Sequence, residues 1–336
     1  MLRHVVTVRD FTPSFLESVF RSAAASKRQH AGRGRGARVR WSPHWNALRD
    51  HVMISLFYEA STRTRHSFEA AMARLGGKVI TTENAAEFSS AIKGETLEDS
   101  IRIESGYGDV IVLRHKEKGA AARAAAVSDV PVINAGDGDG EHPTQALLDL
   151  FTIAERFPGR RDLRVTFVGD LLKGRTVHSL AYLAAMLEGT SSGFAGRVDF
   201  VAPEIMQIPR HIEALVRDSG LPVALHDGLN PALVADSDVI YMTRTQSERH
   251  DVTGGGDSYA LTEPLASALH DDAIVLHPLP RNRELPEAID RLPQARYFEQ
   301  ARNGLFVRMA VLLWVFGELA PPTAAPGGLR EERAYA

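Results

Sequence analysis

Apolar positions along this chain follow two alternating periods. Short runs rich in Val, Ile, Leu and Phe predict strands at 52–57, 78–81, 109–113 and 130–133, and again at 164–168, 198–201, 222–225, 239–242 and 273–276. Between the first of these, apolar residues recur every three or four positions and predict helices at 13–26, 62–75, 96–107, 120–127 and 144–156. The clearest helix places Phe68, Ala71, Met72 and Leu75 at i, i+3, i+4 and i+7 and stops at Gly76-Gly77. Strands that alternate with amphipathic helices imply parallel sheets with crossover helices. The expected fold is therefore α/β, with two doubly wound parallel-sheet domains hinged at the 144–156 helix. Such sheets bind ligands beyond the carboxyl ends of their strands.

The last strong helical segment, 303–319, is apolar on most faces and is expected to be buried. A breaker-rich stretch, Pro321-Pro322-Thr323-Ala324-Ala325-Pro326-Gly327-Gly328, opens what is expected to be a disordered tail over 321–336. With 336 residues and 44% hydrophobic composition the chain can bury two cores. A formal net charge of −3 gives no reason to expect nucleic acid or an anionic membrane as a partner. The absence of cysteine excludes disulfides, thiolate metal sites and cysteine nucleophiles, and is compatible with a reducing compartment. Met1 to Val6 lacks the apolar stretch of a signal peptide, and the longest apolar run, 305–316, is broken by Arg308 and too short for a bilayer. A cytoplasmic location is the expectation. The stretch 27–40, with glycines set between arginines, reads as a solvated loop, with an effector or partner site as the alternative.

Candidate chemistry gathers where strands end and helices begin. Ser61-Thr62-Arg63-Thr64-Arg65 follows Ile54-Ser55-Leu56-Phe57 and opens a helix, whose first N–H groups lack intrahelical partners and whose dipole favours an anion. Three hydroxyl residues and two guanidiniums add donors shaped for phosphate. Alone, the string fits an N-cap with a solvated basic turn as well as an anion cradle. Five further strings follow in order: Arg114 after Val110-Ile111-Val112-Leu113, His142-Pro143-Thr144-Gln145, Gly174-Arg175-Thr176, Thr243-Arg244-Thr245-Gln246, and His277-Pro278-Leu279-Pro280-Arg281. Each alone has an ordinary reading. A histidine before proline is a turn residue, a strand-end arginine forms a surface ion pair, and a Pro-rich tetrapeptide is a strand exit.

Taken together, in this order and approximate spacing, the six strings resemble the catalytic chains of the aspartate carbamoyltransferase family, from Asp10-Phe11-Thr12 to Asn303-Gly304-Leu305-Phe306. The resemblance implies transfer of a carbamoyl group from carbamoyl phosphate to L-aspartate in pyrimidine synthesis, with no metal or cofactor. It implies that Ser61, Thr62, Arg63 and Thr64 hold the phosphate, and that Arg63, Thr64, Arg114 and His142 polarise the carbonyl. Gln145 would contact the carbamoyl amide, and Leu279 and Pro280 would accept hydrogen bonds from the carbamoyl nitrogen through their backbone carbonyls. Arg175, Arg244 and Gln246 would hold aspartate. The segment with Ser89 and Lys93 resembles a loop that enters a neighbouring subunit's site, which implies a homotrimer with shared sites. By the same resemblance the last helix returns to the first domain, so the expected division is 1–143 with 303–320 for carbamoyl phosphate and 144–302 for aspartate. Regulatory chains or dihydroorotase as partners are left open.

Two other readings compete. A carbamoyltransferase for ornithine typically carries His-Cys-Leu-Pro where this chain has His277-Pro278-Leu279-Pro280, and an inactive homologue would have lost phosphate or carbonyl contacts that are all present here. Departures from the family pattern are few: Tyr58 in place of a common phenylalanine, Arg302 in the Gln-Ala-X-Asn-Gly string, and the added Gly254-Gly255-Gly256. None removes a proposed contact. His66, His178 and His277 read as structural.

Overall fold

The computed structural model describes residues 2–31, 44–244 and 259–319. Among them, nine strands form two sheets in which every pairing is parallel. The chain divides into two compact units, Met1–Leu147 with Asn303–Ala336, and Leu148–Arg302. Both crossings between units fall inside helices, Pro143–Arg156 and Tyr297–Val315.

The first unit is built on β1 (Val52–Phe57), β2 (Lys78–Glu83), β3 (Val110–His115) and β4 (Val132–Asp137), in the order β2-β1-β3-β4. Composition explains that order. The mainly apolar β1 and β3 are buried along nearly their whole length and take the centre, whereas β2, with Lys78, Thr81, Thr82 and Glu83, is largely exposed and takes an edge. The other edge, β4, is buried and gains a single bridge from Val5 to Ile133. Ile54, Leu56, Ile101, Ile111, Leu113 and Ala124 form one side of the core.

Arg308, which interrupts the apolar run of the last helix, is buried rather than solvated. Its guanidinium lies 5.1 Å from the centre of the Phe68 ring and donates to Ser67 Oγ at 2.8 Å. Ser67 in turn donates to the Thr64 carbonyl at 2.9 Å, so the last helix braces the first turns of the helix Thr62–Arg74.

The second unit carries β5 (Leu163–Val168), β6 (Ala195–Val201), β7 (Val223–His226), β8 (Val239–Met242) and β9 (Ile274–Leu276), in the order β7-β6-β5-β8-β9. Phe167, Phe200 and Tyr241 pack ring against ring between the central strands. Several charged groups are buried here, among them Asp149, Asp170, Asp199 and Glu284. Asp199 is fully covered and accepts hydrogen bonds from Arg164 Nε at 3.1 Å, Arg197 Nη2 at 2.8 Å and His226 Nε2 at 2.8 Å. Burial pushes its carboxyl upward, but these donors outweigh it and hold the group below the usual carboxylate range. A buried carboxylate survives only with such a full set of partners.

The last helix begins at Tyr297, six residues before the expected 303, because Gln300 and Asn303 are buried polar residues that break the apolar pattern without breaking the helix. β3 continues through Arg114 to His115, since both side chains are buried at the strand end. Residues 32–40 of the basic insertion, the glycines 254–256 and the tail 321–336 lie outside the described residues. Among the described residues no helix is long and apolar enough to cross a membrane.

Candidate active site

In the first unit the carboxyl ends of three neighbouring strands carry the predicted residues. Register aligns Arg114 of β3 with Phe57 of β1, and the chain leaving β1 reaches Ser61 four residues later. Ser61 is the N-cap of the helix Thr62–Arg74 but makes no side-chain capping bond. An N-cap hydroxyl ordinarily satisfies an orphan N–H. Here Ser61 leaves that end of the dipole open to an external anion. Thr62 and Arg63 are exposed and Thr64 is buried.

The two guanidiniums of the cradle separate in the structure. Arg65 turns back to β2, donating to Glu83 Oε2 at 2.7 Å with Glu69 at 3.7 Å, so it is an internal tie rather than a phosphate donor.

Arg114 is buried at the sheet edge, with Nη1 donating to the Ala135 carbonyl at 3.1 Å and Nη2 paired with Glu59 at 3.2 Å. Glu59 went unrecognised in the sequence; its only signal was an acid two residues before the cradle. It fixes the guanidinium's plane and compensates its buried charge.

His142 sits at the entrance of the helix Pro143–Arg156, and Gln145 N–H donates to its carbonyl at 2.9 Å, which places Gln145 one turn on. Both are buried. The turn leading to His142 is tightly specified. Asp137 accepts from Gly119 N–H at 2.8 Å and Glu141 N–H at 2.9 Å, while the Glu141 carboxylate accepts from Thr7 Oγ1 at 2.7 Å and Val8 N–H at 2.8 Å. Burial pushes the Glu141 carboxyl above its usual range despite those two donors. β3 and β4 are register neighbours, so Ser61–Thr64, Arg114 and His142 share one edge of one sheet.

Ser89 and Lys93 follow the carboxyl end of β2. The Ser89 hydroxyl is donated to the Ala85 carbonyl, and Lys93 is exposed at the end of a short 3-10 turn. Burial raises the Tyr58 phenol above its ordinary value, with the Ser100 and Ser89 hydroxyls beside it pulling the other way.

In the second unit the same logic recurs. Arg175 opens the helix Arg175–Leu187 after β5, Arg244 follows β8 by two residues, and Leu279 and Pro280 follow β9. β5, β8 and β9 are adjacent, so these residues share the carboxyl edge of the second sheet. Gly169 makes the approach of two strand ends possible: it has φ of +117°, and a Cβ there would stand 2.2 Å from the Thr243 carbonyl. Leu279 has φ of +55° and its bond to Pro280 is cis. Gln246 lies outside the described residues. Among the described residues there is no group of three His, Cys, Asp or Glu arranged to hold a metal ion.

Two family models cover nearly the whole chain: aspartate/ornithine carbamoyltransferase, carbamoyl-P binding domain, over residues 3–155, and aspartate/ornithine carbamoyltransferase, Asp/Orn binding domain, over residues 161–315. The chain belongs to the aspartate/ornithine carbamoyltransferase family. Among its relatives, the chloroplastic aspartate carbamoyltransferase of Oryza sativa subsp. japonica is 44% identical over 318 residues, covering 93% of this chain and 84% of that protein. The aspartate carbamoyltransferase catalytic subunit of Chromobacterium violaceum is 42% identical over 323 residues, covering 94% and 98%. A crystal structure of Trypanosoma cruzi aspartate transcarbamoylase in complex with N-(phosphonacetyl)-L-aspartic acid superposes with a TM-score of 0.82 at 36% identity, covering 92% of this chain and 94% of that one.

Proposed function

We infer that the chain catalyses attack of the L-aspartate amine on carbamoyl phosphate, giving N-carbamoyl-L-aspartate and phosphate, a step of pyrimidine synthesis. The observation that carries this reading is the shared sheet edge of the first unit, where an uncapped helix N-terminus, Arg114 and His142 supply anion-binding and carbonyl-polarising donors together. Relatives that bear the aspartate carbamoyltransferase name over most of their length support the choice of acceptor.

In this reading Ser61, Thr62, Arg63 and Thr64 hold the phosphate, while Arg63, Thr64, Arg114 and His142 stabilise the charge that grows on the carbonyl oxygen as the amine attacks. His142 acts as a hydrogen-bond donor. Gln145 and the backbone carbonyls of Leu279 and Pro280 hold the carbamoyl nitrogen. The tetrahedral intermediate collapses by breaking the carbon–oxygen bond, and the departing phosphate takes the amine proton, so the protein need not supply a nucleophile. Arg175 and Arg244 match the two aspartate carboxylates, each suited to a guanidinium fork. Ser89 and Lys93 complete the site of a neighbouring copy in a homotrimer, and Gln246 supports the aspartate end.

An assay of carbamoyl transfer with aspartate and ornithine side by side tests the reading. Aspartate is expected to be carbamoylated with kcat/KM at least about a hundredfold above ornithine, because ornithine lacks the second carboxylate and leaves a guanidinium unpaired. Transfer to ornithine at equal or greater rate overturns the assignment of Arg175 and Arg244.

A further inference from the structure

Sequence alone marks His277 as structural, yet the structure places it at the centre of a polar relay. Leu279 sits in the left-handed region at φ of +55°, where a residue with a Cβ does not rest without support. Its N–H donates to His277 Nδ1 at 2.8 Å, which requires a bare lone pair on that nitrogen and so puts the ring proton on Nε2. Nε2 stands 2.9 Å from Glu284 Oε1. Glu284 also accepts from Asn282 N–H at 2.8 Å, and these donors hold its carboxyl below the usual range although burial pushes it the other way. The backbone N–H of His277 is itself pinned, at 2.8 Å from Gln300 Oε1. His277 is 1% exposed and Glu284 7%, so water is a poor substitute for either partner.

The other neutral tautomer would set an N–H of the ring against the N–H of Leu279 and a lone pair against the Glu284 carboxylate. Glu284 therefore selects the tautomer, and the tautomer selects the backbone conformer of Leu279.

We propose that His277 and Glu284 are positioning residues that aim the Leu279 carbonyl at the carbamoyl nitrogen, and thereby make the enzyme discriminate carbamoyl phosphate from acyl phosphates that lack an N–H. The proposal rests on the role given to Leu279 above. Acetyl phosphate is the natural probe, since a methyl group replaces the amide nitrogen and offers no donor. Two substitutions separate the halves of the relay. His277→Asn keeps an acceptor on Cγ for the Leu279 N–H and loses Glu284, while His277→Gln reaches toward Glu284 and gives up the acceptor on Cγ.

The measurement is the ratio of apparent affinities for carbamoyl phosphate and acetyl phosphate, with aspartate as acceptor. His277→Gln is expected to lower that ratio by about tenfold or more while acetyl phosphate affinity changes by less than about threefold, and His277→Asn to stay within about threefold of wild type. Equal loss of both phosphates in either variant, or wild-type discrimination in His277→Gln, overturns the proposal. Should neither variant fold, the wild-type ring decides: nitrogen-15 spectra of histidine-labelled protein are expected to show His277 protonated at Nε2 and bare at Nδ1, and an Nδ1-protonated ring overturns it. A wild-type protein that fails to carbamoylate aspartate sinks the functional reading instead, and leaves the tautomer measurement standing.

Discussion

Arg63→Ala is expected to lower turnover about a hundredfold or more at saturating aspartate, because in the proposed reading it removes the cation that serves both the phosphate and the carbonyl oxygen. The structure makes this residue the test of the cradle, since Arg65, the other guanidinium of the string, is tied to Glu83 and Glu69. Arg63 is exposed at the start of its helix, so its loss should leave the unfolding midpoint nearly unchanged. Steady-state kinetics beside a denaturation curve checks both halves. A near-normal rate would place the anion site elsewhere.

A larger contrast is expected from mixing two inactive proteins. If Lys93 works in the site of a neighbouring copy, a Lys93→Ala chain damages the site next door, whereas an Arg63→Ala chain damages its own. In a ring assembled from both, an interface that takes its cradle from a Lys93→Ala chain and its loop from an Arg63→Ala chain has every proposed residue intact. Each variant alone should be nearly inactive, and activity should reappear after the two are dissociated and reassembled together. The exposed position of Lys93 leaves it available to reach outward. Mixed trimers that form and stay inactive would show that Lys93 serves its own chain.

Much of this was legible in the sequence wherever one local rule dominated. The strands 52–57 and 239–242 lie where their apolar runs predict, the first broken only by Ser55, because a central parallel strand buries both faces and needs no alternation. The first turn of the helix Thr62–Arg74 was legible for the same reason: a hydroxyl residue precedes a clean apolar period.

What the sequence hid depends on contacts distant along the chain. Nothing near Arg65 says that Glu83 will take it, and nothing near Arg308 says that its charge will lie on the Phe68 ring. The early start of the last helix was hidden because Gln300 looks like a surface residue, although it is buried between His277 N–H and Asp149, accepting from one and donating to the other at 2.6 Å. The partners of His277 were hidden on similar grounds: it meets Glu284 and the backbone N–H of Leu279, and neither contact is visible in a His-Pro-Leu-Pro string.

The amine of aspartate is expected to attack the carbonyl carbon of carbamoyl phosphate, and phosphate to leave with the bridging oxygen. Carbamoyl phosphate labelled with oxygen-18 at the bridging position tests this directly, with products read by mass spectrometry and phosphorus NMR. The expected result is N-carbamoyl-L-aspartate in equal amount to phosphate, with the whole label in the phosphate. Unlabelled phosphate, a phosphorylated aspartate, or phosphate released without N-carbamoyl-L-aspartate would contradict it.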